Sequence, residues 1–229
     1  MFDGRFRAPI ERAVKPVGDG LRRTRLTPDH LTAVGLALAV VAAIVIGRGG
    51  LRGGLLLVVL AALPDLLDGA LAKASNTASQ RGAFFDSVAD RVTDMLLFGG
   101  VAWHLATVYG AHAAMLPFAV MAVSSLISYE RAKAESLGLS AKGGLMERAE
   151  RIILLCFGLL FDSLLVPVLW VMLALTAITA VQRFVKVWGQ AKAPPAAAAK
   201  VALRHSRRVA RRSVRAQGRT HVQRRRRTQ

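Results

Sequence analysis

The sequence has 229 residues, and 53% of them are apolar. The apolar residues are concentrated in blocks that contain no Asp, Glu, Lys or Arg, at 31–47, 95–129 and 163–182. Each block approaches or exceeds the roughly 20 residues that a helix needs to cross a bilayer. Such a distribution is not that of a soluble domain, and it predicts an all-α integral membrane protein.

The formal net charge of +18 is carried mainly by the carboxyl-terminal segment. Residues 190–229 contain 13 of the 32 Lys and Arg residues and no Asp or Glu. A segment of this composition cannot bury a core, so we expect a disordered basic tail. A polybasic segment directly after an apolar span is typical of binding to anionic lipid headgroups. Nucleic acid is the alternative partner and is disfavoured by this position.

The amino-terminal segment, residues 1–26, mixes basic and apolar residues three or four positions apart. This spacing predicts an amphipathic helix that lies in the membrane interface. Thr27 and Pro28 then fit the cap and the first turn of a new helix. We therefore predict a membrane domain at 27–189, between the interfacial helix and the basic tail.

Breaks in the apolar runs predict six transmembrane helices in this domain. The first ends near Gly47, and the others follow at about 55–73, 81–110, 113–134, from 146, and after 163. Most basic residues then fall on the side of the two termini, with Arg48 and Arg52 as exceptions. Because cytoplasmic loops are enriched in Lys and Arg, both termini are predicted to be cytoplasmic in a multi-pass cell-membrane protein.

Four carboxylates interrupt the second and third predicted helices. Asp65 and Asp68 are three residues apart and share a helix face, and Asp86 and Asp90 are four apart and share another. If these faces meet, the carboxylates cannot all stay ionised at low dielectric without cations. Hard oxygen ligands favour Mg²⁺, Mn²⁺ or Ca²⁺, and four carboxylates suffice for two ions. Solvated helix-end acids and a proton path are the alternative interpretations.

Small residues accompany these acids. Gly69 and Ala72 leave a shallow patch that a base or a phosphate can approach, Lys73 adds a cation beside it, and Gly82 opens the third helix. Taken singly, each glycine indicates only close helix packing. The ordered spacing favours a binding site.

Together these residues resemble the signature of the CDP-alcohol phosphotransferases, membrane enzymes with six transmembrane helices. The matching string is Asp65-x2-Asp68-Gly69-x2-Ala72-Lys73-x8-Gly82-x3-Asp86-x3-Asp90. Lys73 stands where the family usually has arginine. The resemblance implies that the four Asp residues hold two divalent ions, Mg²⁺ or Mn²⁺, and that Asp90 takes the proton of the attacking alcohol. It also implies that CDP is contacted by Asp68, Gly69, Ala72, Lys73 and Gly82, at a site facing the cytoplasm, with CDP-diacylglycerol as the lipid substrate.

A second charged cluster lies at the ends of the last three predicted helices. It includes Arg131, Arg151 and Arg183, and guanidinium groups gathered near a membrane surface suit a phosphorylated acceptor. For a single basic residue such as Arg148, the positive-inside tendency alone is an equally good explanation.

These segments also resemble those of the actinobacterial phosphatidylinositol phosphate synthases, as does the stretch that contains Asp29. The resemblance implies that Arg131, Arg151 and Arg183 bind the phosphate of inositol phosphate, that Asp29 contributes to the acceptor site, and that the protein is a homodimer. Glycerol 3-phosphate is the alternative acceptor.

Two alternatives belong to other functional classes. A carboxylate-lined ion or proton transporter would need a path through the bilayer, whereas the acids are predicted on the side of the basic loops. A membrane-anchored nucleic-acid binder that uses the basic tail leaves the acids unexplained.

Overall fold

The computed structural model describes residues 28–75 and 79–192, with the side chains of Pro28 and of residues 64–75 outside the description. This part of the chain is helical and contains no β-strand. Six α-helices follow one another: α1 Pro28–Gly47, α2 Leu51–Ser75, α3 Gln80–Tyr109, α4 Met115–Ser136, α5 Arg148–Leu160 and α6 Leu165–Ala191. Short 3₁₀ segments precede α4 (Ala111–Ala114) and α6 (Asp162–Leu164).

The helices begin and end close to the predicted boundaries. The clearest difference is at α2, which begins at Leu51 and not at Leu55, because the Arg48–Gly50 turn is tight enough for the helix to restart at once. The predicted interfacial helix at 1–26 lies outside the described residues, as does the tail beyond Lys192.

One predicted boundary is corrected. Gln190 was predicted to open the disordered tail, but α6 continues to Ala191. The Gln190 side chain donates a hydrogen bond to the carbonyl of Ser140 (2.7 Å) and accepts one from the Ser140 N–H (3.0 Å). Hydrogen bonds to a neighbouring segment therefore hold this residue in the folded domain.

Among the described residues, three helical segments are long and apolar enough to cross a membrane: Asp29–Gly47, Ala111–Ser136 and Asp162–Ala191. The described side chains of α2 form a shorter apolar stretch, Leu51–Leu63, and the acidic residues of α3 lower the hydropathy of that helix. Helix α5 has 13 residues, which at about 1.5 Å per residue is roughly 20 Å and shorter than a bilayer core of ~30 Å.

The helices pack as one bundle, with α1 against α2 and α3, α4 against α3 and α6, and α5 against α2 and α6. The contact between α1 and α3 is especially close. A Cβ atom at Gly100 would lie 2.5 Å from the carbonyl oxygen of Ala43. Since α1, α3 and α5 start, and α2, α4 and α6 end, at the same end of an antiparallel bundle, that end gathers the predicted site residues.

Candidate active site

The acidic face of α3 is the first part of the site. Asp86 and Asp90 lie one helical turn apart and are both partly buried. Asp94 continues the same face by one more turn and is only 9% exposed. Three carboxylates therefore follow one another along one side of α3, in its amino-terminal half.

The first turn of α3 brings two further predicted residues together. Ser79 caps the helix, and its hydroxyl accepts a hydrogen bond from the N–H of Gly82 (3.0 Å). A Cβ atom at Gly82 would lie 3.6 Å from Oδ1 of Asp29, at the start of α1. Gly82, predicted to contact CDP, thus lies beside Asp29, predicted to belong to the acceptor site.

The predicted residues of α2 are placed only in part. The backbone of α2 carries Asp65, Asp68, Gly69, Ala72 and Lys73, but their side chains lie outside the description. Among the described side chains, no three His, Cys, Asp or Glu residues are grouped closely enough to hold a metal ion. The convergence of four carboxylates therefore stays a prediction.

A cavity of about 220 Å³ opens beside the acidic face of α3. Its charged lining comprises five arginines and three acids, so it has an excess of two positive charges. The three predicted phosphate-binding arginines are all among the lining residues, although their role stays a prediction. The charged residues of the lining are Asp90, Arg91, Asp94, Arg131, Glu147, Arg148, Arg151 and Arg183.

The predicted arginines differ in their surroundings. Arg151 is only 3% exposed, and its guanidinium donates a hydrogen bond to Oδ2 of Asp94 (2.7 Å). Arg131 is exposed at the edge of the cavity and pairs with Glu135 one turn along α4 (3.1 Å). Arg151 therefore has a fixed orientation, whereas the exposed side chain of Arg131 is free to reorient toward a ligand.

Arg183 is buried and donates several hydrogen bonds within the protein. Its acceptors are the carbonyls of Gly143 (3.0 Å) and Ile127 (3.3 Å) and the carboxylate of Glu147 (3.1 Å). It joins α6 to the end of α4 and to the segment before α5. In addition to lining the cavity, Arg183 thus holds together three of the elements that form its wall.

This arginine belongs to a polar stripe on α6 that holds the α4–α5 loop, residues 137–147. Thr179 accepts from the N–H of Met146 (3.0 Å), Lys186 donates to the carbonyl of Lys142, and Gln190 pairs with Ser140. With Arg183, the stripe repeats every three or four residues, so one side of α6 faces the loop over about three turns. The loop position fixes the start of α5, and with it Arg148 and Arg151.

Sequence reasoning missed two residues at the centre of the site. Arg148 lies 2.8 Å from Oδ1 of Asp90, and its Nε lies 3.6 Å from Oδ1 of Asp94. The signal for Asp94 was present, because it follows Asp90 at the same spacing of four that links Asp86 to Asp90. Arg148 carried no such signal, since a basic residue beside a membrane helix is common.

Comparison with known proteins identifies the family of the chain. The sequence model of the CDP-alcohol phosphatidyltransferase family matches residues 25–188. The chain belongs to this family. The phosphatidylinositol phosphate synthase of Mycobacteroides abscessus is 36% identical over 185 residues, which cover 77% of this chain and 84% of that protein. This confirms the resemblance to the actinobacterial synthases.

Solved structures show the same similarity. The crystal structure of Mycobacterium tuberculosis phosphatidylinositol phosphate synthase with CDP-DAG bound has a TM-score of 0.72 and 33% identity, covering 77% of this chain and 94% of that chain. The structure of that synthase in complex with manganese and citrate has a TM-score of 0.71 and 31% identity, covering 76% of this chain and 88% of that chain. Family membership identifies the chain as a transferase of phospholipid biosynthesis and decides against the transporter and the nucleic-acid binder as its main function.

Proposed function

We propose that this enzyme transfers the phosphatidyl group of CDP-diacylglycerol to inositol phosphate, giving phosphatidylinositol phosphate and CMP. The observation that carries the proposal is the cavity beside Asp90, whose lining has five arginines against three acids. A phosphomonoester carries about −1.5 to −2 charges at pH 7, which balances this excess of two. An alcohol without phosphate would leave this positive excess of the cavity uncompensated.

The identity of the acceptor rests on the relatives. The Mycobacteroides abscessus protein, 36% identical over most of both chains, is a phosphatidylinositol phosphate synthase. Glycerol 3-phosphate has the same charge and would suit the same cavity electrostatically, so it is the acceptor against which the proposal must be tested. In either case Arg131, Arg151 and Arg183 contribute the positive charge that binds the acceptor phosphate.

Asp65, Asp68, Asp86 and Asp90 would hold two divalent cations, Mg²⁺ or Mn²⁺. The donors fit, because Asp86 and Asp90 offer hard carboxylate oxygens one turn apart on a single face of α3. The manganese complex of a 31% identical synthase supports the choice of metal. When bound, such ions neutralise the diphosphate of the lipid substrate and the CMP that leaves.

The protein residues then have separate tasks in the reaction. Asp90 accepts the proton of the acceptor hydroxyl, whose oxygen attacks the phosphorus that carries the diacylglycerol. A phosphorus–oxygen bond forms to the acceptor, and the bond to CMP breaks. Asp68, Gly69, Ala72, Lys73 and Gly82 contact the CDP group and keep the diphosphate in line with the attacking oxygen.

The membrane arrangement belongs to the same proposal. All six helices cross the bilayer, and α5 spans the full depth of the bilayer together with the residues that flank it. The cavity faces the cytoplasm, where basic loops accumulate. The acyl chains of the substrate stay in the membrane while its headgroup enters the site. The basic tail binds anionic lipid headgroups, and the enzyme forms a homodimer.

The test is an assay of purified protein with radiolabelled CDP-diacylglycerol and one acceptor at a time. We expect lipid product and CMP with inositol phosphate and Mg²⁺ or Mn²⁺, and no product with free inositol or glycerol. Turnover with glycerol 3-phosphate and none with inositol phosphate would contradict the acceptor while leaving the reaction class intact. Preference for an unphosphorylated alcohol would contradict the role of the cavity.

A further inference from the structure

Asp94 is a carboxylate in the wall of a cavity whose charge otherwise suits an anion. It is 9% exposed and lies one turn beyond Asp90 on α3. A negative charge beside a phosphate site weakens phosphate binding by repulsion. If Asp94 favours acceptor binding, its contribution must therefore exceed this repulsion.

The contacts of Asp94 indicate that role. Its Oδ2 accepts a hydrogen bond from Arg151 (2.7 Å), and its Oδ1 lies 3.6 Å from Nε of Arg148. The two arginines are three residues apart in the first turn of α5, so they lie on the same side of that helix. One carboxylate on α3 therefore contacts two guanidinium groups on α5.

The contact matters most for Arg151, which is almost completely buried. Its one ion pair is with Asp94, and its Nε has no hydrogen-bond partner among the residues that the structure describes. Arginine has many rotamers and a planar set of donors that works only in the correct orientation. A guanidinium group that is already oriented loses less conformational entropy when a ligand binds.

We propose that Asp94 is a positioning residue for the acceptor. It holds Arg151, and with a longer contact Arg148, so that their remaining N–H groups are directed into the cavity. This rests on the proposed function, since it assumes that the cavity binds the acceptor phosphate. In this role Asp94 acts through the arginines and not on the reacting atoms or the lipid substrate, so its loss should affect acceptor binding far more than turnover at saturation.

The test is steady-state kinetics of purified full-length Asp94→Asn. Inositol phosphate is varied at saturating CDP-diacylglycerol, and CDP-diacylglycerol is then varied at saturating inositol phosphate. Asparagine keeps the shape of the side chain and removes its charge. We expect the KM for inositol phosphate to rise roughly tenfold, as after loss of a charged hydrogen bond, with kcat and the KM for the lipid within about twofold of wild type. Asp162→Asn, an exposed acid at the other end of α5, is the matched control and should match wild type in both.

Two further variants make the result specific. Asp94→Glu keeps the charge on a longer side chain, and we expect it to recover part of the acceptor affinity. In a double-mutant cycle, Asp94→Asn should add little to Arg151→Ala if Asp94 acts through Arg151. Thermal unfolding of each variant separates loss of fold from loss of binding. If Asp94→Asn does not fold, Asp94→Glu replaces it in the kinetic test.

Three outcomes would overturn the inference. They are an unchanged acceptor KM in Asp94→Asn, a fall in kcat with acceptor KM unchanged, and full additivity of the two substitutions. If Arg151→Ala raises the acceptor KM while Asp94→Asn does not, the positioning role fails and the proposed function stands. If Arg151→Ala also leaves the acceptor KM unchanged, the phosphate pocket itself fails.

Discussion

Arg148 and Asp90 form an ion pair of 2.8 Å between the start of α5 and the acidic face of α3. Asp90 is the predicted metal ligand and base, and Arg148 lines the cavity predicted to hold the acceptor. The pair therefore joins the two halves of the proposed site, the carboxylates predicted to face the nucleotide lipid and the arginines predicted to face the acceptor.

The first prediction concerns this arginine. Arg148→Ala reduces the positive excess of the cavity from two charges to one, and we expect kcat/KM for inositol phosphate to fall roughly tenfold. Arg148→Lys should recover part of the loss, since it keeps the charge but not the planar set of donors. Initial rates at varied acceptor measure both. Arg48→Ala, an exposed arginine at the other end of α1, is the control, and equal kinetics in the two alanine variants would contradict the prediction.

The second prediction concerns the predicted metal ligands. Asp65→Asn, Asp68→Asn, Asp86→Asn and Asp90→Asn should each abolish CMP release, because each removes a charge from a shared cation site. Wild-type activity should disappear in chelator and return with Mg²⁺ or Mn²⁺. Release of labelled CMP measures both effects, in variants that still insert into the membrane. Full CMP release by Asp86→Asn in the presence of chelator would contradict the two-ion site.

The third prediction separates two arginines of the cavity. Arg131→Ala and Arg151→Ala should both lower kcat/KM for the acceptor by roughly tenfold to hundredfold, with lipid binding nearly intact. Only Arg151→Ala should also lower the melting temperature, because it leaves the buried carboxylate of Asp94 with only the longer contact to Arg148, at a cost of up to about 3 to 5 kcal/mol. Kinetics and thermal unfolding of both variants test this. Equal melting temperatures would contradict the structural role of the Asp94–Arg151 pair.

The sequence was sufficient to predict the helices and to predict that Asp86 and Asp90 share one side of α3. Charged residues and glycines interrupt the apolar runs near the true ends of the helices, and the spacing of Asp86 and Asp90 placed them on one side of α3. The same spacing continues to Asp94. That residue was missed because the family signature ends one turn earlier.

The polar stripe of α6 could not be predicted in the same way. Thr179 and Gln190 form hydrogen bonds with backbone groups of the α4–α5 loop, and every residue carries such groups, so the sequence does not indicate which of them are bonded. Arg183 likewise donates to the carbonyls of Gly143 and Ile127. The burial of Arg183 results from the packing of α4, α6 and the loop, which the sequence does not indicate.

The fourth prediction tests how the loop is held against α6. A Cβ atom at Gly144 would lie 2.5 Å from Cγ2 of Thr179, and the backbone φ of +147° disfavours any other residue. Gly144→Ala should therefore displace the loop, destabilise the protein by about 1 to 3 kcal/mol and raise the acceptor KM. Gly99→Ala, where a Cβ atom meets nothing within 4 Å, is the control.

A second substitution makes this prediction more specific. Thr179→Ser removes the methyl group that would clash and keeps the hydroxyl that accepts from Met146. Adding Thr179→Ser to Gly144→Ala should therefore restore part of the melting temperature and of the acceptor affinity, with the backbone strain remaining. Thermal unfolding and acceptor kinetics of the two variants give the answer. No recovery in the double variant would show that the contact with Thr179 is not the cause.

The fifth prediction concerns the end of the domain and compares two truncations. Removal of residues 193–229 should leave turnover in detergent unchanged, because it spares the whole of α6. Binding to vesicles of anionic lipid should weaken, most visibly at low salt, where a Debye length above ~10 Å lets basic side chains act at a distance. Co-sedimentation with anionic and neutral vesicles measures the difference.

Truncation three residues earlier, after Gly189, should behave differently. It also removes Gln190, whose side chain makes two hydrogen bonds with the backbone of Ser140. The α4–α5 loop is then less firmly held at one end, so the acceptor KM should rise while the KM for the lipid substrate stays the same. Identical kinetics of the two truncated proteins would contradict the role of Gln190, and complete loss of turnover after Lys192 would give the basic tail a catalytic role.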